Sequence, residues 1–229
     1  MSPLESSEAK DASTVPTGGP AAPGEAGPVG VVLAGGASRR FGRDKATFEI
    51  VRGGGVETLS GWAFRRLAAV CGEVAVADAG RAVVPGARSL ADGPGRGPAA
   101  GLLGAARAFP ARPLLALACD LPAVPAALLS KIAAVAVVAA GGGFDLVMPR
   151  WGESVEPLAA FYAPNALAAL ERRVAEGRYA LHELLDEPGL SAATFGEADL
   201  LPFGAPQEIF ANVNTPEDLA RWSARSERD

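Results

Sequence analysis

Apolar residues in this chain fall into short unbroken runs, with longer stretches of mixed spacing between them. Val29 to Leu33 is such a run, bounded by Gly and Pro, and it predicts a strand buried on both faces. Further strands are expected at Glu73 to Ala77, Ala87 to Ala91, Pro113 to Cys119, Phe144 to Pro149, Pro157 to Tyr162 and Ile209 to Val213. Helices are expected at Glu57 to Val70, with Leu59, Trp62, Phe64, Leu67 and Val70 as its apolar positions, and at Pro98 to Ala108 and Pro125 to Ala140. Two more are expected at Pro164 to Glu176 and Tyr179 to Asp186. A last helix follows Thr215, where an N-cap threonine, Pro216 at the first helical position, and Glu217 and Asp218 in the first turn are strong start signals. Strands alternating with helices predict an α/β fold: a Rossmann-like, doubly wound, mostly parallel sheet covered by helices on both faces.

Residues 1–28 break the pattern. They are rich in Pro, Gly, Ala, Ser and Thr, with almost no large apolar side chains. Such a segment cannot bury enough surface to offset its ordering entropy, so a disordered tail is expected, followed by a single domain over 29–229.

Charge narrows the function. The chain is acidic, with a formal net charge of -5, which argues against a general nucleic-acid binder. Glu5, Glu8, Asp11 and Glu25 against Lys10 place three of those negative charges in the tail, leaving the rest nearly neutral. Against that background Arg39, Arg40, Arg43 and Lys45 crowd into one short stretch. The longest apolar run, Ile132 to Ala140, is too short for a membrane span, and the N-terminus lacks the basic and apolar regions of a signal peptide. A cytoplasmic protein without membrane contact is expected. The single histidine, His182, excludes a multi-histidine metal site. Cys71 and Cys119 sit in apolar surroundings and read as buried thiols rather than a disulfide.

Chemistry is expected beyond the carboxyl ends of the strands. Two segments fall there. The first runs Leu33-Ala34-Gly35-Gly36-Ala37-Ser38-Arg39-Arg40-Phe41-Gly42-Arg43-Asp44-Lys45. Its glycines let the backbone approach a ligand and aim N–H groups at it, while its cations can neutralise a triphosphate. Neither P-loop nor dinucleotide-fingerprint spacing is present. The second segment ends a buried strand in Cys119-Asp120-Leu121-Pro122. An aspartate there either caps the following turn or binds a hard cation such as Mg, and the residue alone leaves both readings open. Together the segments supply cations, N–H donors and a carboxylate, which is what a metal-bound triphosphate needs.

Leu33 to Lys45 resembles the LAGGxSxRxGxDK signature of the MobA family, nucleotidyltransferases resembling molybdenum cofactor guanylyltransferase. Gly97-Pro98-Ala99-Ala100-Gly101-Leu102 is similar to that family's GPLAGL, and Cys119 to Pro122 to its CDxP. Glu156 to Tyr162 resembles its QPLxALY, and Phe210 to Leu219 its FxNxNTPEDL. The matches occur in family order and span about residues 29–222.

The resemblance implies the fold of nucleotide-diphospho-sugar transferases and transfer of GMP from GTP to molybdopterin. It implies that the backbone of Leu33, Ala34, Gly35 and Gly36 cradles the nucleoside, and that Arg39 and Lys45 hold phosphates. Asp120 would ligate Mg, Asp92 would contact base or ribose, and Asn212 and Asn214 would lie near the acceptor phosphate or metal. A plain turn role for Asn214 stays open. Gly97 and Gly101 are expected to allow tight helix packing. Departures at Phe41, Ala99 and Glu156 are expected to leave the chemistry untouched. The rival readings are CTP as donor, another phosphorylated acceptor, and a non-catalytic module that binds nucleotide or molybdopterin and serves cofactor assembly. Molybdoenzymes or assembly proteins are the expected partners in delivering the product.

Overall fold

The computed structural model describes residues 27–35, 45–52, 55–138 and 143–226. The tail expected to be disordered lies outside these residues, apart from positions 27 and 28, which carry no regular structure.

Strand β1 (Val29–Leu33) is followed by a 3-10 turn at Lys45–Thr47 and by a hairpin of β2 (Glu49–Arg52) and β3 (Gly55–Thr58). Then come α1 (Leu59–Ala68), β4 (Val74–Ala77), β5 (Arg88–Leu90), α2 (Pro98–Ala108), β6 (Leu114–Ala118) and α3 (Ala126–Val138). The second half holds β7 (Leu146–Trp151), β8 (Ser154–Val155), β9 (Ala159–Tyr162), α4 (Pro164–Ala175) and β10 (Ala192–Phe195). Two single-turn helices, α5 (Glu197–Leu200) and α6 (Pro206–Ile209), precede the terminal α7 (Pro216–Ser226).

The main sheet runs β10-β7-β9-β6-β1-β4-β5, with β8 folded back on β7. β1 pairs parallel with both β4 and β6, β4 with β5, and β7 with β10. β9 is antiparallel to its neighbours β6 and β7. The expected mostly parallel sheet is therefore present, with one reversed strand inside it. α1 packs with α3, and α2 with α4, covering opposite faces. β1 and β6, every residue of which is buried, form the centre of the core. Gly30 lets α1 lie close to the sheet, since a Cβ there would sit 3.0 Å from Leu67 Cβ. Among the described residues no helix is long and apolar enough to cross a membrane.

The elements differ from the pattern reading in several places. The stretch before α1 is a hairpin, because Thr58 accepts the Gly61 N–H at 3.0 Å and caps the helix there. Leu181–Asp186 is a 3-10 helix. No strand forms at Ile209 to Val213: Ile209 ends α6 and the next residues have no regular structure. Phe210 and Val213 are buried there, and the apolar pattern that suggested a strand reflects a loop pinned to the core. The last strand of the sheet is instead β10, whose middle residues are only half-buried and carry a weaker signal.

Val213 joins Ile50, Leu59, Leu219 and Trp222 in a small second cluster under α7. Trp62 meets Trp222 edge-on at 5.7 Å, a contact contributing about 0.5–1.5 kcal/mol beyond area burial. Thr215 caps α7: its Oγ1 accepts the Asp218 N–H, and Asp218 Oδ2 accepts from the Asn214 and Thr215 N–H groups. The residues 210–214 are thus fixed from both ends.

Candidate active site

The strand directions bring β1, β4, β5, β6 and β7 to one edge of the sheet by their carboxyl ends, with the start of β9 among them. β1 is flanked on both sides by parallel partners reached through separate crossovers, the place where open α/β sheets bind ligands.

The exit of β1 is held on both sides. Leu33 O accepts from Cys119 N at 3.2 Å, and Ala34 N donates to Ala77 O at 3.0 Å. Leu33 and Ala34 are buried, whereas Gly35 is exposed at the mouth of the loop. Gly36 and Arg39 lie outside the described residues. Lys45 opens the 3-10 turn beyond the loop, and the buried Ser60 hydroxyl ties that turn to α1 by donating to Ala46 O at 2.6 Å.

Lys45 Nζ donates to Asp120 Oδ2 at 2.8 Å and to Asn214 Oδ1 at 2.8 Å. The lysine and aspartate side chains are 13% and 22% exposed, so the pair sits in a partly desolvated cleft. Asp120 also anchors the C-terminal loop, its carbonyl accepting the Val213 N–H at 2.8 Å. Two residues, 75 and 169 positions away from Lys45, thereby converge on its ammonium group. The other carboxylate oxygen, Asp120 Oδ1, is buried without a hydrogen-bond partner among the described residues. An orphaned buried oxygen is costly unless a donor or cation meets it, and a carboxylate oxygen is the donor type a hard divalent cation takes. The residues present therefore fit Mg.

Asp92 is exposed just past β5. Its loop is drawn tightly onto α2, where a Cβ on Gly104 would sit 2.1 Å from Ala91 O. Asn212 is exposed on the C-terminal loop. No hydrogen bond among the described residues joins Asp92 or Asn212 to the lysine cluster. Gly101 has its expected packing role, a Cβ there meeting Ala77 and Leu33 at 3.3 Å. Gly97 does not: nothing lies within 4 Å, and its φ of 60° shows that it serves the backbone turn into α2.

Glu156 is the residue whose importance the sequence reading missed. It is 8% exposed, and its Oε1 accepts the Leu158 N–H at 2.9 Å. Burial pushes its carboxyl up to about 7, with repulsion from Asp120 adding to the rise and the Leu158 bond opposing it. It thus lies within electrostatic range of Asp120. The signal was the one used for Asp120, an acidic residue directly against a buried strand. Burial and then Glu156 also raise the Tyr162 hydroxyl, which donates to Pro157 O at 2.7 Å.

The turn after β4, where side chains near Ala77 and Asp78 were expected to bear on base choice, is held from within. The fully buried Asp78 carboxylate accepts from Gly80 N, Val83 N and Ser89 Oγ, at 3.2, 2.9 and 2.5 Å. This turn holds Ala79 and Ala82 at positive φ and carries Arg81, which donates to Asp78 O and to Ala34 O. Arg81 so braces the backbone at the entrance to the nucleotide loop.

Known proteins align with this arrangement. Residues 30–192 match the MobA-like NTP transferase domain. A probable molybdenum cofactor guanylyltransferase of Opitutus terrae is 35% identical over 202 residues, covering 84% of this chain and 93% of that protein. The molybdenum cofactor guanylyltransferase of Rhodobacter capsulatus is 33% identical, over 86% and 95%. The crystal structure of molybdopterin-guanine dinucleotide biosynthesis protein A from Archaeoglobus fulgidus superposes with a TM-score of 0.71 at 26% identity, covering 88% of this chain and all of that one.

Proposed function

The chain belongs to the MobA-like NTP transferase family of nucleotidyltransferases, and from that premise we propose that it is a Mg-dependent molybdenum cofactor guanylyltransferase. It transfers GMP from GTP to the terminal phosphate of molybdopterin and releases pyrophosphate. The carrying observation is Lys45, bonded to both Asp120 and Asn214, beside the Asp120 Oδ1 atom, which is buried without a partner among the described residues.

The nucleoside lies along the backbone of Leu33 to Gly36 with Asp92 at its rim, and Arg39 and Lys45 face the phosphates. Asp120 would hold a Mg ion, which when bound would supply charge neutralisation for the triphosphate and the pyrophosphate. An oxygen of the acceptor phosphate attacks the α-phosphorus, forming a new P–O–P linkage as the bond to the β-phosphate oxygen breaks. A phosphate is already ionised at neutral pH, so no general base is needed. Lys45 meets the charge that develops on the α-phosphate, and Asn212 and Asn214 orient the acceptor phosphate. Catalysis is thus positioning and charge neutralisation. The enzyme works in the cytoplasm and passes its product to molybdoenzymes or their assembly proteins.

The test is calorimetric titration of GTP, CTP and ATP with Mg into the wild type and Asp120→Ala, with pyrophosphate release measured on addition of molybdopterin. GTP preference that the mutation weakens, together with turnover, supports the reading. CTP preference would reassign the donor. Absence of nucleotide binding in the wild type would sink the enzymatic reading.

A further inference from the structure

The carboxyl edge divides in two, and one half is unused by the nucleotide. On one side of Asp120 lie β1, β4 and β5, with Leu33 to Gly35, Arg81 and Asp92. On the other lie the start of β9, with Glu156, and the end of β7, with Trp151. The half-buried Trp151 stacks on Phe210, with ring centroids 4.7 Å apart and planes inclined by 14°. Phe210 is buried and begins the loop that reaches Asp120 through Val213 and Lys45 through Asn214. Strands in a sheet lie ~4.8 Å apart, so β7, two strands from β6, puts the indole roughly 10 Å along the edge from Asp120. A fused bicyclic ring carrying its phosphate on a short side arm spans a gap of that size.

We propose that Trp151, backed by Phe210, is the stacking platform for the acceptor's pterin ring, which places the acceptor phosphate at Asn214 and Lys45. This rests on the acceptor being molybdopterin, as argued above. The half-buried indole keeps part of its surface in solvent, where a ring can stack, and Phe210 fixes the indole plane so that little side-chain freedom is lost on binding. The same stack sets the position of the 210–214 loop, so ring recognition and phosphate placement share one support.

The test compares Trp151→Leu, which keeps an apolar cover on Phe210, with Trp151→Phe, which keeps an aromatic face. KM for molybdopterin is measured at saturating GTP and Mg, KM for GTP at saturating molybdopterin, and 6-hydroxymethylpterin serves as a ring-only competitor. Loss of a stacked ring should raise the molybdopterin KM of Trp151→Leu about tenfold and weaken inhibition by the competitor equally. The KM for GTP should not move, and Trp151→Phe should retain most of the wild-type affinity. If Leu and Phe variants behave alike, or both KM values rise together, the platform is only a loop anchor and the proposal falls. Failure of the wild type to release pyrophosphate with molybdopterin, despite binding GTP, would instead overturn the acceptor assignment and this inference with it.

Discussion

Asp78 and Asp120 occupy similar positions: Asp78 directly follows β4 and Asp120 stands two residues past the end of β6, both at the same edge of the sheet. Their surroundings are opposite. Asp78 is fully buried, and two N–H groups and a hydroxyl meet its carboxylate. Asp120 keeps some exposure, shares one oxygen with Lys45 and leaves the other without a partner among the described residues. A carboxylate that has spent its lone pairs on its own turn is building material, and one with a buried lone pair left over is waiting for a ligand. Hydrogen-bond satisfaction, more than residue type or position, separates the two roles.

The sharpest way to break this contrast is to exchange the consequences. Asp120→Asn preserves volume and a contact to Lys45 but removes the charge a cation needs. It should lower kcat/KM for pyrophosphate release by about 10³-fold while moving stability by less than about 1 kcal/mol. Asp78→Ala should do the reverse. It takes the buried carboxylate away from the Val83 N–H and the Ser89 hydroxyl, while the Gly80 N–H keeps Leu90 O, and this costs on the order of 3 kcal/mol in urea unfolding. Its folded fraction should turn over at near wild-type kcat, because the Arg81 bridge from this turn to Ala34 O uses the backbone carbonyl of Asp78 and not its carboxylate. An unfolding loss for Asp120→Asn as large as that for Asp78→Ala would erase the distinction.

What the chain's pattern revealed follows the same line. The parallel core strands were legible because burial on both faces makes β1, β4 and β6 continuous apolar runs. The exposed hairpin of β2 and β3 was not, since Val51 and Val56 face solvent and the pairing stands outside the main sheet. Lys45, Asp120 and Asn214 could be named from local motifs, but their convergence depends on tertiary packing of α7 and its loop. The reach of Glu156 towards Asp120 was invisible for a related reason, since strand order decides that β9 begins beside β6. Arg39 and Gly36 stay expectations, as they lie outside the described residues.

Glu156 sharpens the comparison through pH. Its carboxyl rises from 4.5 to about 7 on folding, so between those values the folded protein holds a proton that the unfolded chain has lost. Stability should therefore be unpenalised below pH 4.5, fall as pH rises towards 7, and level off above. The full loss is on the order of 3 kcal/mol. Glu156→Gln should flatten that slope in denaturant unfolding measured from pH 4.5 to 8, and its advantage over wild type should be greatest at pH 8. A wild-type profile that rises across this window would show that Glu156 is not held away from ionisation.

The smallest effect tests how far the lysine end of the site depends on its support. Ser60 is fully buried in α1, and its hydroxyl donates to the carbonyl of Ala46, next in sequence to Lys45. Asp120 and Asn214 meet the ammonium at the far end of a flexible side chain, whereas Ser60 fixes the backbone from which that chain springs. Ser60→Ala leaves the Ala46 carbonyl unmet by Ser60, at a cost of about 1 kcal/mol in unfolding. Under the proposed mechanism, in which Lys45 meets charge that develops during transfer, the loosened turn should lower kcat severalfold and leave KM for GTP nearly unchanged. Ser60→Thr keeps the hydroxyl and should recover most of the lost kcat. If Ser60→Ala loses stability with no change in kcat, then Asp120 and Asn214 position the ammonium unaided, and the rigidity of the site resides on its carboxylate side.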